Sequence, residues 1–322
     1  MEIWIGFTLA AAFAQTLRFM LQKSLKTTRL STAGATFARF VYSAPLVALG
    51  VLAFSALSGQ DLPKIPPRFW AYALSGGLAQ ILATMCVVSL FARRNFAVGI
   101  TFKKTEVMQT ALLGFVILGE SVAPLGWLAI GIGFGAVLLL SPMPKSEPNA
   151  EPATGPAAGP NMGRALAPGG LHLGRFFNPS AGLGLLSGVF FAISAVGYRG
   201  ASLSLETGDV LLSAGVTLAL VTMSQTLAMA LYLAGFERGE MGKVFKAWRL
   251  AGLVGIASMI GSYCWFTAFT LQNAAYVNAL GQVELLFSLL ASVLFFRERI
   301  SRREMAGIAL LLLSILILIA VL

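Results

Sequence analysis

The chain has 322 residues, of which 57% are hydrophobic and only 11% charged, with a mean hydropathy of +0.82. An ordinary globular chain is about 25% charged, so the two soluble domains that the length alone would suggest are excluded, and recurring apolar runs of about 20 residues mark a polytopic helical membrane protein. The net charge of +10 does not signal nucleic-acid binding, because the basic residues sit in short gaps between apolar runs rather than on one solvated face.

In chain order the sequence predicts ten transmembrane helices, an all-α polytopic membrane protein. The first five cover 3–22, 32–57, 70–90, 96–118 and 124–140; the second five cover 182–203, 210–234, 248–271, 274–296 and 304–322. The string Ala12-Phe13-Ala14 resembles a signal-peptide cleavage site, but Met1-Glu2 lacks the basic start of a signal peptide, and this segment is read as helix 1. Residues 1–141 form a first five-helix repeat and 182–322 a second. Between them 142–181 carries Pro142, Pro144, Pro148, Pro152, Pro156 and Pro160 and reads as a flexible linker. The single histidine, His172, falls in this linker, so no histidine-based catalytic or metal site is expected in the membrane, and no catalytic residue, metal or cofactor is assigned. Cys86 and Cys264 lie inside apolar runs and are expected to be buried thiols.

Counting Lys and Arg in alternate connections gives sixteen on one side and three (Lys64, Arg68, Arg199) on the other. By the positive-inside rule the first side, which includes the linker, is cytoplasmic and both termini are outside. The bacterial inner membrane is the expected location.

The two halves share one register. Glu284 lies 178 residues after Glu106, and the same spacing equates Gly6 with Gly184, Ala14 with Ala192, Ser24-Leu25 with Ser202-Leu203, Trp70 with Trp248 and Gly77 with Gly255. It also equates Cys86 with Cys264, Phe91 with Phe269, Asn95 with Asn273, Ala97 with Ala275 and Glu120 with Glu298. Five spans is an odd number, so the second copy enters the membrane from the opposite side. The expected architecture is a 5+5 inverted repeat, with a site near the midplane where the copies meet.

Within each copy a motif recurs: Glu106-Val107, an apolar run, then Leu118-Gly119-Glu120; and Glu284-Leu285, an apolar run, then Phe296-Arg297-Glu298. This pattern resembles the drug/metabolite transporter superfamily in its ten-span EamA-like branch, which has Glu-Pro at the first position and Leu-Gly-Glu at the second. The proline is replaced here by Val107 and Leu285, so neither helix has a proline to kink it there. The resemblance implies secondary transport of small metabolites, often export, with no cofactor.

Charges inside spans cost at least about 2.5–3.5 kcal/mol each and are functional candidates by default. Glu106 lies about 15 Å into its helix, near the midplane, and Glu284 at a similar depth from the other side. The two carboxylates are candidates for proton or cation coupling, the alternative being that each orients a neighbouring helix. Lys103 shares a face with Glu106, whereas Lys104 points about 100° away, so at most one lysine faces the same cavity.

Arg18 is expected to snorkel to the interface. Arg39, with Tyr42, is a candidate site residue, and if Lys103 and Arg39 line the cavity the cytoplasmic half of the route is positive and favours substrates carrying a carboxylate or phosphate. Asn278, Gly281, Glu284, Ser288 and Ser292 form one polar and small stripe, and Gly99, Lys103, Glu106, Thr110 and Gly114 another; such stripes serve helix packing, cavity lining or both. Gln109, Asn278 and Gln282 join the substrate and coupling candidates, with Gln80, Tyr198, Tyr263 and Trp265 as cavity lining. Glu120 and Glu298 are read as structural or gating residues.

No Walker A motif is present: the string Gly239-Glu240-Met241-Gly242-Lys243-Val244 has the wrong spacing and no Ser or Thr after the Lys. The expected function is a secondary transporter, an exporter of amino-acid-like or anionic metabolites, working by alternating access with proton coupling or exchange. Its partners are a small-molecule substrate, the lipid bilayer and protons, with no nucleic acid. The alternatives are an intramembrane enzyme acting on lipid-linked substrates, and a channel.

Overall fold

The computed structural model describes residues 2–27, 30–90, 102–140, 179–287, 290 and 302–320. These are helical throughout apart from short connections. The helices are α1 (Ile3–Thr27), α2 (Thr32–Val41), α3 (Ser43–Ser58), α4 (Pro67–Leu90), α5 (Glu106–Leu118), α6 (Pro124–Leu140), α7 (Pro179–Ser204), α8 (Val210–Phe236), α9 (Glu240–Lys246), α10 (Trp248–Leu271), α11 (Ala274–Leu280) and α12 (Arg302–Ala320). Six segments, 3–22, 32–58, 67–90, 182–204, 210–236 and 248–271, are long and apolar enough to cross a membrane, with shorter apolar helices at 106–118, 124–139 and 305–320. The expected linker lies outside the described residues up to 178. The first helix beyond it starts at Pro179 rather than 182.

Local chemistry sets the helix ends. Prolines 67, 124 and 179 open α4, α6 and α7, positions where the missing N–H is not needed. Ser31, Asp209 and Asn273 cap α2, α8 and α11, each side chain accepting from backbone N–H groups of the first turn. Gly59 and Gly119 end α3 and α5 with φ of 67° and 69°, in the left-handed region. The apolar stretch 32–57, expected as one helix, is interrupted at Tyr42. Pro45 has no N–H to give the carbonyl of Val41, which accounts for the interruption.

The interior is built from small and hydroxylated side chains, including Ala11, Ala12, Ala192, Thr8, Thr84, Ser187 and Thr217, while Leu49, Phe115, Leu227, Leu231 and Leu316 are exposed on the outside. That distribution suits a lipid surround, where small residues let helix backbones approach. The most extensive packing is between α4 and α7, matched by α1 against α10 and by α6 against α12. The pair α4–α7 is antiparallel: Arg68 reaches the Ser204 carbonyl, Tyr72 lies against Gly200, Gly76 against Gly197, and Gln80 hydrogen-bonds Ser194.

The repeat is visible in these contacts. Adding 178 to α1 lands on α7, and adding it to α4 lands on α10, so α4–α7 and α10–α1 are equivalent pairs. The same offset carries 32–58 onto 210–236, which is α8. Here Gln60 bonds Asp209, Val51 meets Gly215, and Met229 and Leu233 share a buried cluster with Phe37 and Phe40. The equivalent segments 32–58 and 210–236 therefore lie side by side and antiparallel.

Candidate functional site

Both intramembrane glutamates follow a break in their helix. Residues 102–103 are helical, Lys104 and Thr105 form a turn, and α5 begins at Glu106. The Thr105 N–H bonds the Phe102 carbonyl, a tightened i to i+3 bond. In the second copy α11 ends at Leu280, Gly281–Val283 form a 3₁₀ turn, and Glu284 caps it. The breaks coincide under the 178-residue offset. Sequence reasoning treats each as a continuous helix, and the structure corrects that for the described residues, without any proline at either site. Gly281 is needed at its break because a Cβ there would come within 2.4 Å of the Trp265 ring.

The breaks bring the two carboxylates to one cavity of about 60 Å³ between the copies. Arg39, Gln80, Lys103, Glu106, Tyr198, Trp265, Asn278 and Glu284, all singled out in the sequence, line it. Lys103 donates to Glu106 at 3.0 Å and sits 4.7 Å above the Phe191 ring. Lys104, one residue on, pairs instead with Glu284 of the other copy, and Gln15 donates to the second oxygen of that carboxylate at 2.6 Å. The two lysines thus diverge as the helical geometry requires, and each serves a different glutamate. Asn278 donates to Thr110 at 2.9 Å, a further bond between copies.

One wall is aromatic. Tyr198 stacks on Phe266 with centroids 4.2 Å apart, and Trp265 on Phe269 at 5.6 Å. The Trp265 indole N–H is buried with no hydrogen-bond partner among the described residues, an open donor beside the cavity. Arg39, also buried, hydrogen-bonds Ser258 and Thr84 at 3.0 Å and Ser262 at 3.4 Å. With the Gln80 amide oriented so that its nitrogen donates to Ser194, its oxygen accepts from both terminal nitrogens of Arg39, at 2.7 and 3.1 Å.

Other expected site residues lie elsewhere. Tyr42 packs against Phe245, Tyr263 donates to the Leu211 carbonyl beside a lipid-side groove, and Gln109 bonds Thr105 against Gly188. Lys104 and Gln282 line a separate small cavity of about 10 Å³. Arg18 does not snorkel: it is buried and donates to Gln22 at 2.8 Å, because Gln22 offers an acceptor one turn away. Arg199, counted as a connection charge, is an inward part-buried residue of α7. It pairs with Glu120 and donates to the Phe269 and Gln272 carbonyls at the end of α10. Cys86 and Cys264 are free thiols and half-buried rather than buried. Ser288, Ser292 and Glu298 lie outside the described residues. Gln15, Phe191, Ser194 and Ser262 were missed; Ser262 is the repeat equivalent of Thr84, a signal that extending the alignment to hydroxylated positions would have caught.

A family model described as "EamA-like transporter family" matches residues 2–141 and 179–320. A solved structure described only as "Crystal structure of protein" superposes with a TM-score of 0.63 at 15% identity, covering 97% of each chain; this likeness concerns the fold alone. No curated protein sequence matches the chain.

Proposed function

This chain belongs to the EamA-like transporter family, a family of membrane transporters, and from that premise we propose that it is a secondary exporter of small amino-acid-like or anionic metabolites, driven by proton coupling or exchange. The observation that carries this reading is the pair of repeat-related glutamates, each placed directly after a helix break and both lining one cavity between the copies. Broken helices at a repeat interface are where transporters place substrate and coupling-ion sites. The ten spans form a 5+5 inverted repeat in this proposal, supported by the antiparallel contact of equivalent segments. Rocking of the copies about the cavity then exposes the same site to either side. The linker faces the cytoplasm.

Each glutamate is held by a lysine, Glu106 from within its own copy and Glu284 from the other. Protonation of Glu284 removes the charge that Lys104 meets across the interface, which lets the copies separate; deprotonation restores the contact. The test is reconstitution in liposomes with a labelled metabolite panel, with and without a pH gradient. Gradient-stimulated flux of at least one metabolite is expected. Flux no higher than in empty liposomes for every compound overturns the reading.

A further inference from the structure

The guanidinium of Arg39 has five N–H donors, and every acceptor they meet is neutral: Ser258, Thr84, Ser262 and Gln80. Arg39 makes no ion pair among the described residues. Of the other cations in this region, Lys103 is matched by Glu106 and Lys104 by Glu284, while Arg18, buried on α1, donates to the Gln22 amide and does not line the cavity. Arg39 is therefore the cavity-lining cation left without a counter-charge among the described residues, an arrangement that protein interiors avoid unless a partner supplies the missing anion.

The four acceptors also obey the repeat. Gln80 and Thr84, one turn apart on α4, are equivalent under the 178-residue offset to Ser258 and Ser262, one turn apart on α10. The cation is thus gripped symmetrically by the two copies and lies on the axis that relates them. Its own equivalent is Thr217, so the axis carries a single positive charge rather than two. A group in that position keeps equivalent neighbours when the copies exchange conformations, so its cradle is the same with the cavity open to either side.

We propose that Arg39 is the fixed docking point for a substrate carboxylate. The place it would occupy is marked: in the amide orientation that lets the Gln80 nitrogen donate to Ser194, the Gln80 oxygen bridges the two terminal nitrogens of Arg39 at 2.7 and 3.1 Å, the edge that a carboxylate engages with two parallel bonds. A substrate carboxylate displaces the Gln80 oxygen there and neutralises the cavity, which a carboxamide does not. The stacked pairs Tyr198–Phe266 and Trp265–Phe269 give the rest of the molecule an apolar wall, and the open Trp265 N–H gives it one donor. At about 60 Å³ the cavity as it stands admits no more than a few waters, so the substrate enters only as the copies part.

This inference rests on the transport reading above, and its test separates the two. The full chain is reconstituted in liposomes and counterflow is measured for matched pairs that differ only at the carboxylate: L-leucine with L-leucinamide, and L-phenylalanine with L-phenylalaninamide. The acid of at least one pair is expected to move at least ten-fold faster than its amide. Arg39→Gln is expected to lower that acid flux at least ten-fold, with Arg39→Lys retaining a larger part. Amides moving as fast as acids, or full acid flux in a well-folded Arg39→Gln variant, overturns the docking role and leaves transport standing. Flux of all four compounds at the empty-liposome rate overturns both for this substrate class. The acid-to-amide ratio of the wild-type chain decides the matter even where Arg39→Gln fails to fold.

Discussion

Alanine at Gly197 tests the close approach of α4 and α7, which sets the spacing of the cavity wall carrying Gln80 and Ser194. A Cβ at Gly197 would lie 3.0 Å from the Gly76 Cα and the Tyr72 carbonyl oxygen and 3.2 Å from the Gly76 nitrogen. All three are backbone atoms of the facing helix, so no side chain can turn aside and the helices must part by a few tenths of an ångström. Overpacking of this kind costs about 1–3 kcal/mol, while replacing a mid-helix glycine by alanine returns about 0.5–1 kcal/mol. Gly131, in α6, isolates the second effect because a Cβ there meets nothing within 4 Å. Gly131→Ala is expected to be neutral or slightly stabilising, and Gly197→Ala less stable than Gly131→Ala by about 1–3 kcal/mol. The assay is thermal unfolding of the two purified variants in the same detergent. Equal midpoints would refute the backbone contact between α4 and α7.

The Lys104–Glu284 pair is buried on both sides and crosses between copies. Lys104→Met is expected to cost about 3–5 kcal/mol, and adding Glu284→Gln to recover part of it; strictly additive losses in thermal unfolding would show that the two residues do not interact. Glu240, in α9, accepts from Lys243 and from the backbone N–H of Ser31 at the start of α2. Burial alone would raise its carboxyl, but these bonds outweigh it and hold the group below the ordinary 4.5. With a depressed folded pKa, the stabilisation is present above about pH 4.5 and is lost as pH falls through the folded value. Glu240→Gln is expected to be less stable than wild type at pH 7 by about 1–2 kcal/mol, with the difference shrinking below pH 4.5. A difference that stays constant with pH contradicts the assignment.

Much of the helical layout was legible because a membrane span needs a long apolar run with few charges, and such runs end at recognisable signals. The limits of α6 and α10 coincide with the apolar runs 124–140 and 248–271. The interruption at Tyr42 was also encoded, in Pro45, but an unbroken apolar stretch masked it. The breaks before Glu106 and Glu284 carry a weaker signal, since no proline marks them and Lys104-Thr105 reads as ordinary helix. They depend on tertiary contacts, Gly188 against the first and Trp265 against the second.

For the site, charge rarity in the spans singled out Lys103, Glu106, Glu284 and Arg39, and the structure places all four around one cavity. Polarity was a poorer guide for Tyr42, Gln109 and Tyr263, because such side chains also fill helix contacts, Tyr42 against Phe245, Gln109 against Gly188 and Tyr263 at the Leu211 carbonyl. The hydroxyls around Arg39 escaped notice for the opposite reason: serine and threonine are too common in these spans to stand out singly. Only their repetition at the same offset in both copies sets them apart.

In the proposed mechanism Glu106 and Glu284 couple movement of a metabolite to protons. Its most direct test is flux into liposomes holding wild type or the Glu106→Gln, Glu284→Gln double variant, compared at equal protein loading with and without a pH gradient. Wild type is expected to show gradient-stimulated flux, and the double variant to lose that stimulation while still exchanging substrate across the membrane. Full gradient-driven flux in the double variant would contradict the account and make both carboxylates structural.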